Sequence, residues 1–173
     1  MHHRIRKIRN VRRSRRFQWL NRLRRDDGVS LIETAIVVPI LLVLFAGVAE
    51  FGRYFYEYST LAKASRLGAR YLASKSVTSD VADYKAIAKN IIVYGNEAGN
   101  GEPILDGLAP ANVSIDYEGG TTGIPETVTV TIINYEHDPI FDLGALLNND
   151  DLSLAINVAP SVTMRYLLTQ PTV

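Results

Sequence analysis

Glu33 is the residue whose placement most needs a chemical reason. It follows Gly28 by five positions in DDGVSLIETAIVVPILL and lies on the apolar side of the charge boundary set by Asp26 and Asp27. A carboxylate carried into a hydrocarbon phase is costly unless it is paired, so an acid in such a position is a functional candidate. An acid in the first turn of a helix is also favoured by the helix dipole, which is the plainer account of it. The other residues able to do chemistry are few. The chain has no cysteine, hence no disulfide framework and no thiolate metal site. Past the first few residues His137 is the only histidine, and Glu136-His137-Asp138-Pro139 reads as an ordinary polar turn. A Ser–His137–Asp arrangement would need a framed nucleophile, and neither a glycine-framed serine nor a phosphate loop is present. The acidic stretch Asn148-Asn149-Asp150-Asp151 lacks the alternating ligand spacing of a calcium loop and reads as a solvated turn. Asn112-Val113-Ser114 matches a glycosylation sequon but falls in a strand pattern. The expectation is no catalytic residue, no cofactor, no metal and no enzymatic activity.

The elements that position Glu33 follow from charge and hydrophobic period. Eleven of the 19 basic residues precede Asp26, with no acid among them. After Gly28 there remain 8 bases against 16 acids, a net charge of −8 hidden by the overall +1. The leader and the body therefore face different surroundings. From Thr34 to Ala49 no residue is charged, and with Leu31, Ile32 and Phe51 the apolar stretch reaches the roughly 20 residues that cross a bilayer. A buried core helix is the alternative, but a helix apolar on every side has no face to turn to water. A cleaved secretory signal is another, but the sequence from Glu50 to Arg70 continues as helix with no polar break. The arginine leader holds the N-terminus in the cytoplasm and sends the rest across. RNVRRSRR could also contact phosphates of a nucleic acid, but directly before an apolar span it reads as a topology signal with affinity for lipid headgroups, so no nucleic-acid partner is expected.

Three parts result: a basic leader (1–28), a transmembrane helix (29–52) and an extracytoplasmic α+β domain (53–173). In the third, Phe51, Tyr54, Phe55, Tyr58, Leu61, Ala62, Ser65, Gly68, Ala69 and Leu72 recur at helical spacing and continue the helix to about residue 75. Tyr54, Phe55, Tyr56 and Tyr58 suit a membrane surface, and Glu50, Arg53 and Glu57 are spaced to pair along one helix. A second helix is expected over 80–94, capped by Ser79 or Asp80 and ended by Gly95. The period then falls to 2, which predicts strands over about 111–118, 127–135, 152–158 and 161–167, with Pro160 at an edge or bend. The fold class is α+β: a long N-terminal helix, its first half in the membrane, packed on a small antiparallel sheet of three or four strands in a pilin-like layout. Pro39 would bend the span or be a tolerated membrane proline, and Gly47, Gly52 and Gly68 would allow close helix packing or simply fit the backbone.

The segment around Gly28 and Glu33 resembles a prepilin processing site, in which a membrane peptidase cuts after the glycine and Val29 becomes the new N-terminus. The whole stretch from Gly28 to Ser74 resembles the N-terminal signature of the TadE-like family, pseudopilins or minor pilins of the tight-adherence (Flp) pilus and secretion system. The matching positions are Gly28, Glu33, Pro39, Gly47, Glu50, Phe51, Gly52, Arg53, Ala64, Arg66, Gly68, Ala69 and Arg70, with Met164 and Arg165 similar to the end of the family's outer domain. Thr34 stands where the family often has Phe and the major pilins Tyr, and Asp26 and Asp27 precede the glycine of an unusually long leader. The resemblance implies a single-pass protein of the bacterial cytoplasmic membrane, cut after Gly28, with Glu33 registering packed helices through a new ammonium. The implied partners are the prepilin peptidase, a sister pseudopilin, the major Flp pilin, the inner-membrane assembly platform and the lipid bilayer. An uncleaved signal-anchored scaffold or adaptor, and a tethered envelope hydrolase, are the competing readings.

Overall fold

The computed structural model describes residues 15–75, 81–120 and 125–167, with side chains from residue 28 onward. The basic residues from Arg4 to Arg13 and the expected helix caps Ser79 and Asp80 lie outside the described residues. Two compact units divide the chain, the first ending at Ala46 and the second beginning at Gly47.

Helix α1 is Arg15–Ala73. The sequence predicts its start at Val29, but the helix is already formed before Gly28. No proline lies between Arg15 and Asp27, and Leu, Arg and Gln there are good helix formers. In the first unit every residue from Val29 to Phe45 is exposed, including Ile36, Leu41, Leu44 and Phe45. No residue of the apolar window is buried against protein, which removes the core-helix alternative and is compatible with a single-pass membrane anchor. Thr34 Oγ1 donates to the Ser30 carbonyl at 2.8 Å, so its hydroxyl is satisfied within the helix.

The second unit is an α+β domain. Leu61, Ala64, Ser65, Gly68, Ala69, Leu72 and Ala73 of α1 are buried, at the spacing of a single helix face. Helix α2, Val81–Tyr94, crosses against it, with Ala88, Ile92 and Val93 buried. Gly68 makes this approach possible, because a Cβ there would run into the side chain of Ile92. Gly95, at φ +71°, ends α2, and Ile104 N donates back to the Val93 carbonyl at 2.8 Å.

Three antiparallel strands form the sheet in the order β1-β2-β3: Val113–Glu118, Thr127–Ile132 and Ser161–Arg165. The register pairs Ile115 with Val130, and Val130 with Val162. Val113, Ile115, Val128, Val130 and Ile132 thereby share one face and join the core with α1 and α2. The other face is polar, and hydroxyl pairs Thr129–Thr163 and Thr131–Ser161 bridge β2 and β3 at 2.9 Å. The end of β3 is tied to the end of α1, with Leu167 N donating to Ala73 O at 3.0 Å and the Tyr166 hydroxyl to the Lys75 carbonyl.

Two parts of this domain differ from the sequence expectation. The strand expected over 127–135 ends at Ile132, because Asn134 turns to φ +52° and Ile133 N donates to Asn112 O. The strand expected over 152–158 is absent. Asp150–Leu152 is a 3-10 turn, and only Asn157 makes a bridge, to Glu136. The short helix α3, Leu143–Leu147, precedes it. The alternation of Leu152, Leu154 and Ile156 is real, but Leu154 N is taken by the Asp142 carboxylate instead of a neighbouring strand.

Candidate functional site

The residues at the start of the apolar run are surface groups of the first unit. Gly28, Val29 and Glu33 lie within α1; Val29 and Glu33 are exposed and Gly28 is partly so. A Cβ added at Gly28 would meet nothing within 4 Å, so the fold itself does not require a glycine there. Pro39 sits inside the helix with its neighbours exposed. Glu33 has no charged partner among the described residues.

A polar cluster occupies the second unit where α1 leaves its uncharged run. Glu50 is 4 % exposed although it follows Ala49 directly. Its Oε1 accepts from Arg53 Nη1 at 2.6 Å and from the backbone N–H of Ile140 at 3.2 Å. Phe141 N donates to Oε2 at 3.4 Å. The His137 ring lies between two carboxylates, with Nε2 3.1 Å from Glu50 Oε1 and Nδ1 2.8 Å from Glu57 Oε2. Both ring nitrogens thus face carboxylate oxygens, one on each side of the ring. Arg53 lies 4.0 Å from Glu57 and donates to the Asp138 carbonyl at 3.4 Å. Tyr54 meets the imidazole edge-on at 5.8 Å between centroids. The two carboxylates are thereby partnered by the Arg53 guanidinium and the His137 ring, and Glu50 also by two backbone N–H groups, which is what buried polar groups need.

Glu50, Arg53 and Glu57 thus pair along the helix as their spacing predicts. Their central partner was missed, because Glu136-His137-Asp138-Pro139 reads as a solvated turn while His137 is 1 % exposed. Nothing local marks it, since its partners are 80 and 87 residues away. The expected apolar stripe is corrected in the same place. At residues 50–57 the face turned to the domain is Glu50, Arg53, Tyr54 and Glu57, and Phe51, Phe55 and Tyr58 are exposed. Helical spacing leaves two candidate faces there, and the cluster selects the polar one.

Past the cluster, Asp142 braces the segment around α3. Its Oδ1 accepts from Gly144 N at 2.9 Å and Leu154 N at 3.2 Å, and Oδ2 from Ser153 Oγ at 3.0 Å. Desolvation works to raise the pKa of this carboxyl, but these hydrogen bonds outweigh it and hold it below the usual carboxylate range. Elsewhere, desolvation and then the neighbouring Tyr166 push the Tyr117 hydroxyl up to about 12. The cation of Lys85 sits 4.9 Å over the Tyr117 ring and donates to Ile115 O at 3.1 Å. Of the remaining family positions, Arg66 and Arg70 are exposed, Gly68 and Ala69 are buried against α2 and the sheet, and Gly52 is exposed with open space beside it. Among the described residues no group of three acids, histidines or cysteines is placed to hold a metal.

The fold and this cluster define a class: an α+β domain carried on the second half of a long helix whose first half is an unburied apolar span. Residues 28–70 match the family described as TadE-like protein, so this segment is similar to that family. That match runs from Gly28 through Glu33, Glu50 and Arg53 to the Gly68 contact. No curated protein and no solved structure matches the chain.

Proposed function

We propose that this protein is a TadE-like minor pilin, inserted with its N-terminus in the cytoplasm, cut after Gly28 and taking part in assembly of a Flp tight-adherence pilus or secretion system. The observation that carries the reading is the family match over residues 28–70, which begins on Gly28 and contains the unburied apolar span. Cleavage would set a new ammonium at Val29, four residues from Glu33. Pairing of that carboxylate with the ammonium of its own or a neighbouring chain would offset the desolvation of both and fix the axial register of packed helices. The outer domain, whose contact with its own part of the helix is held by Glu50, Glu57 and His137, would meet a sister pseudopilin, the major pilin and the assembly platform.

The test is the N-terminal residue of membrane-bound protein from cells that carry the prepilin peptidase. Wild-type material is expected to begin at Val29, and Gly28→Ala to leave a larger species. Finding Met1 on the wild-type chain would replace this reading with an uncleaved signal-anchored scaffold.

A further inference from the structure

The segment from His137 to Ile156 leaves the sheet and returns to it at nearly one point. Glu136 bridges Asn157, and His137 N donates to Ile156 O at 3.0 Å. Between those ends it is ordered by its own groups: Asp142 ties Gly144 to Ser153 and Leu154, and Asn149 caps the following turn through Asp151 N at 3.1 Å. Close packing adds to this, since a Cβ at Gly144 would meet Ser153 N at 2.6 Å. On this frame Ile140 is 81 % exposed, Leu146 65 %, Leu147 59 %, Ile156 47 % and Leu152 45 %. Five large aliphatic side chains held outward by an ordered loop are not the accidental exposure of a single residue.

The position of the loop says what covers them. Ile140 and Phe141 hang by their backbone N–H groups from Glu50, the first charged residue after the run Thr34–Ala49. Val48 and Phe51, on either side of that attachment, are themselves 73 % and 69 % exposed. The loop is therefore attached at Glu50, where α1 changes from uncharged to charged. Asp138, Asp142, Asp150 and Asp151 are its charged residues, and it carries no lysine or arginine. Attraction to anionic headgroups is thus no part of its contact.

We propose that this loop rests on the outer surface of the bilayer, with Ile140, Leu146 and Leu147 entering the headgroup and upper acyl region about 5–10 Å deep, as interfacial segments do. The loop is a second, apolar point of contact with the bilayer. This rests on the membrane-anchored reading above.

The absence of cysteine makes the test direct. Single variants Leu41→Cys, Ile140→Cys, Leu147→Cys and Glu118→Cys of the full chain are labelled with a polarity-sensitive fluorophore. Each is reconstituted in phosphatidylcholine nanodiscs and quenched by lipid-borne nitroxide or by aqueous iodide. Labels at Ile140 and Leu147 are expected to be quenched by the lipid nitroxide about three-fold or more above the label at Glu118, with no change on adding salt. Iodide quenching at Ile140 and Leu147 equal to that at Glu118, with the Leu41 label lipid-quenched, overturns the loop proposal alone. A Leu41 label open to iodide overturns the membrane anchor itself. Protection from both quenchers that disappears on dilution into empty nanodiscs assigns the patch to a neighbouring protein and overturns the lipid contact.

Discussion

His137 is the residue on which the cluster closes. It brings an imidazole ring between two carboxylates that α1 carries seven residues apart, and it is nearly buried in doing so. Removing it leaves Glu50 and Glu57 facing one another with Arg53 as the remaining counter-charge. His137→Ala is expected to lower unfolding stability by about 3 kcal/mol, in the range for one partner lost from a buried pair. Urea unfolding of the full chain in detergent measures it, and a loss under about 0.5 kcal/mol would mean that the carboxylates find other partners. Ser65 contrasts with this cluster. Its hydroxyl is fully buried without a hydrogen-bond partner, beside Ala64 on the face that packs into the core.

At the scale of elements, the contact between Tyr117 of β1 and Tyr166, just past the end of β3, carries a pH dependence. Tyr117 meets Tyr166 edge-on at 6.3 Å, and Tyr166 donates to the Lys75 carbonyl. Because the folded Tyr117 hydroxyl ionises near 12 against about 10 when unfolded, the folded chain holds that proton more tightly. The stabilisation is fully present below pH 10 and is lost as pH rises from 10 through 12. Tyr117→Phe is expected to flatten that alkaline decline in thermal unfolding, and an unchanged decline would place its origin elsewhere. Period 3.6 in Val81–Tyr94 and period 2 in Val113–Glu118 and Thr127–Ile132 were readable because each element buries one face. The loop after His137 was not. Leu152, Leu154 and Ile156 alternate as a strand does, and what breaks the pattern is Asp142, whose hydrogen bonds to Ser153 and Leu154 reach across more than ten residues. The Glu50, Arg53 and Glu57 spacing was legible for the same local reason, and His137 was hidden because its partners are distant in sequence.

The whole molecule joins a basic leader, an apolar span and an acidic domain of net charge −8 after Gly28. In the proposed function these are a topology signal, an anchor and an outward-facing head. Glu33→Ala is then expected to leave processing after Gly28 intact and to reduce pilus assembly by about ten-fold or more, as loss of one buried charge pair would. Normal piliation in that variant would remove the registering role of the carboxylate. The most direct test of the account is the side of the membrane on which the domain stands. In spheroplasts treated with a membrane-impermeant maleimide, Glu126→Cys is expected to label before lysis, and Arg16→Cys, placed in the uncut Gly28→Ala chain that keeps the leader, only after it. Labelling of Glu126→Cys that required lysis would put the domain in the cytoplasm and contradict the pilin reading outright.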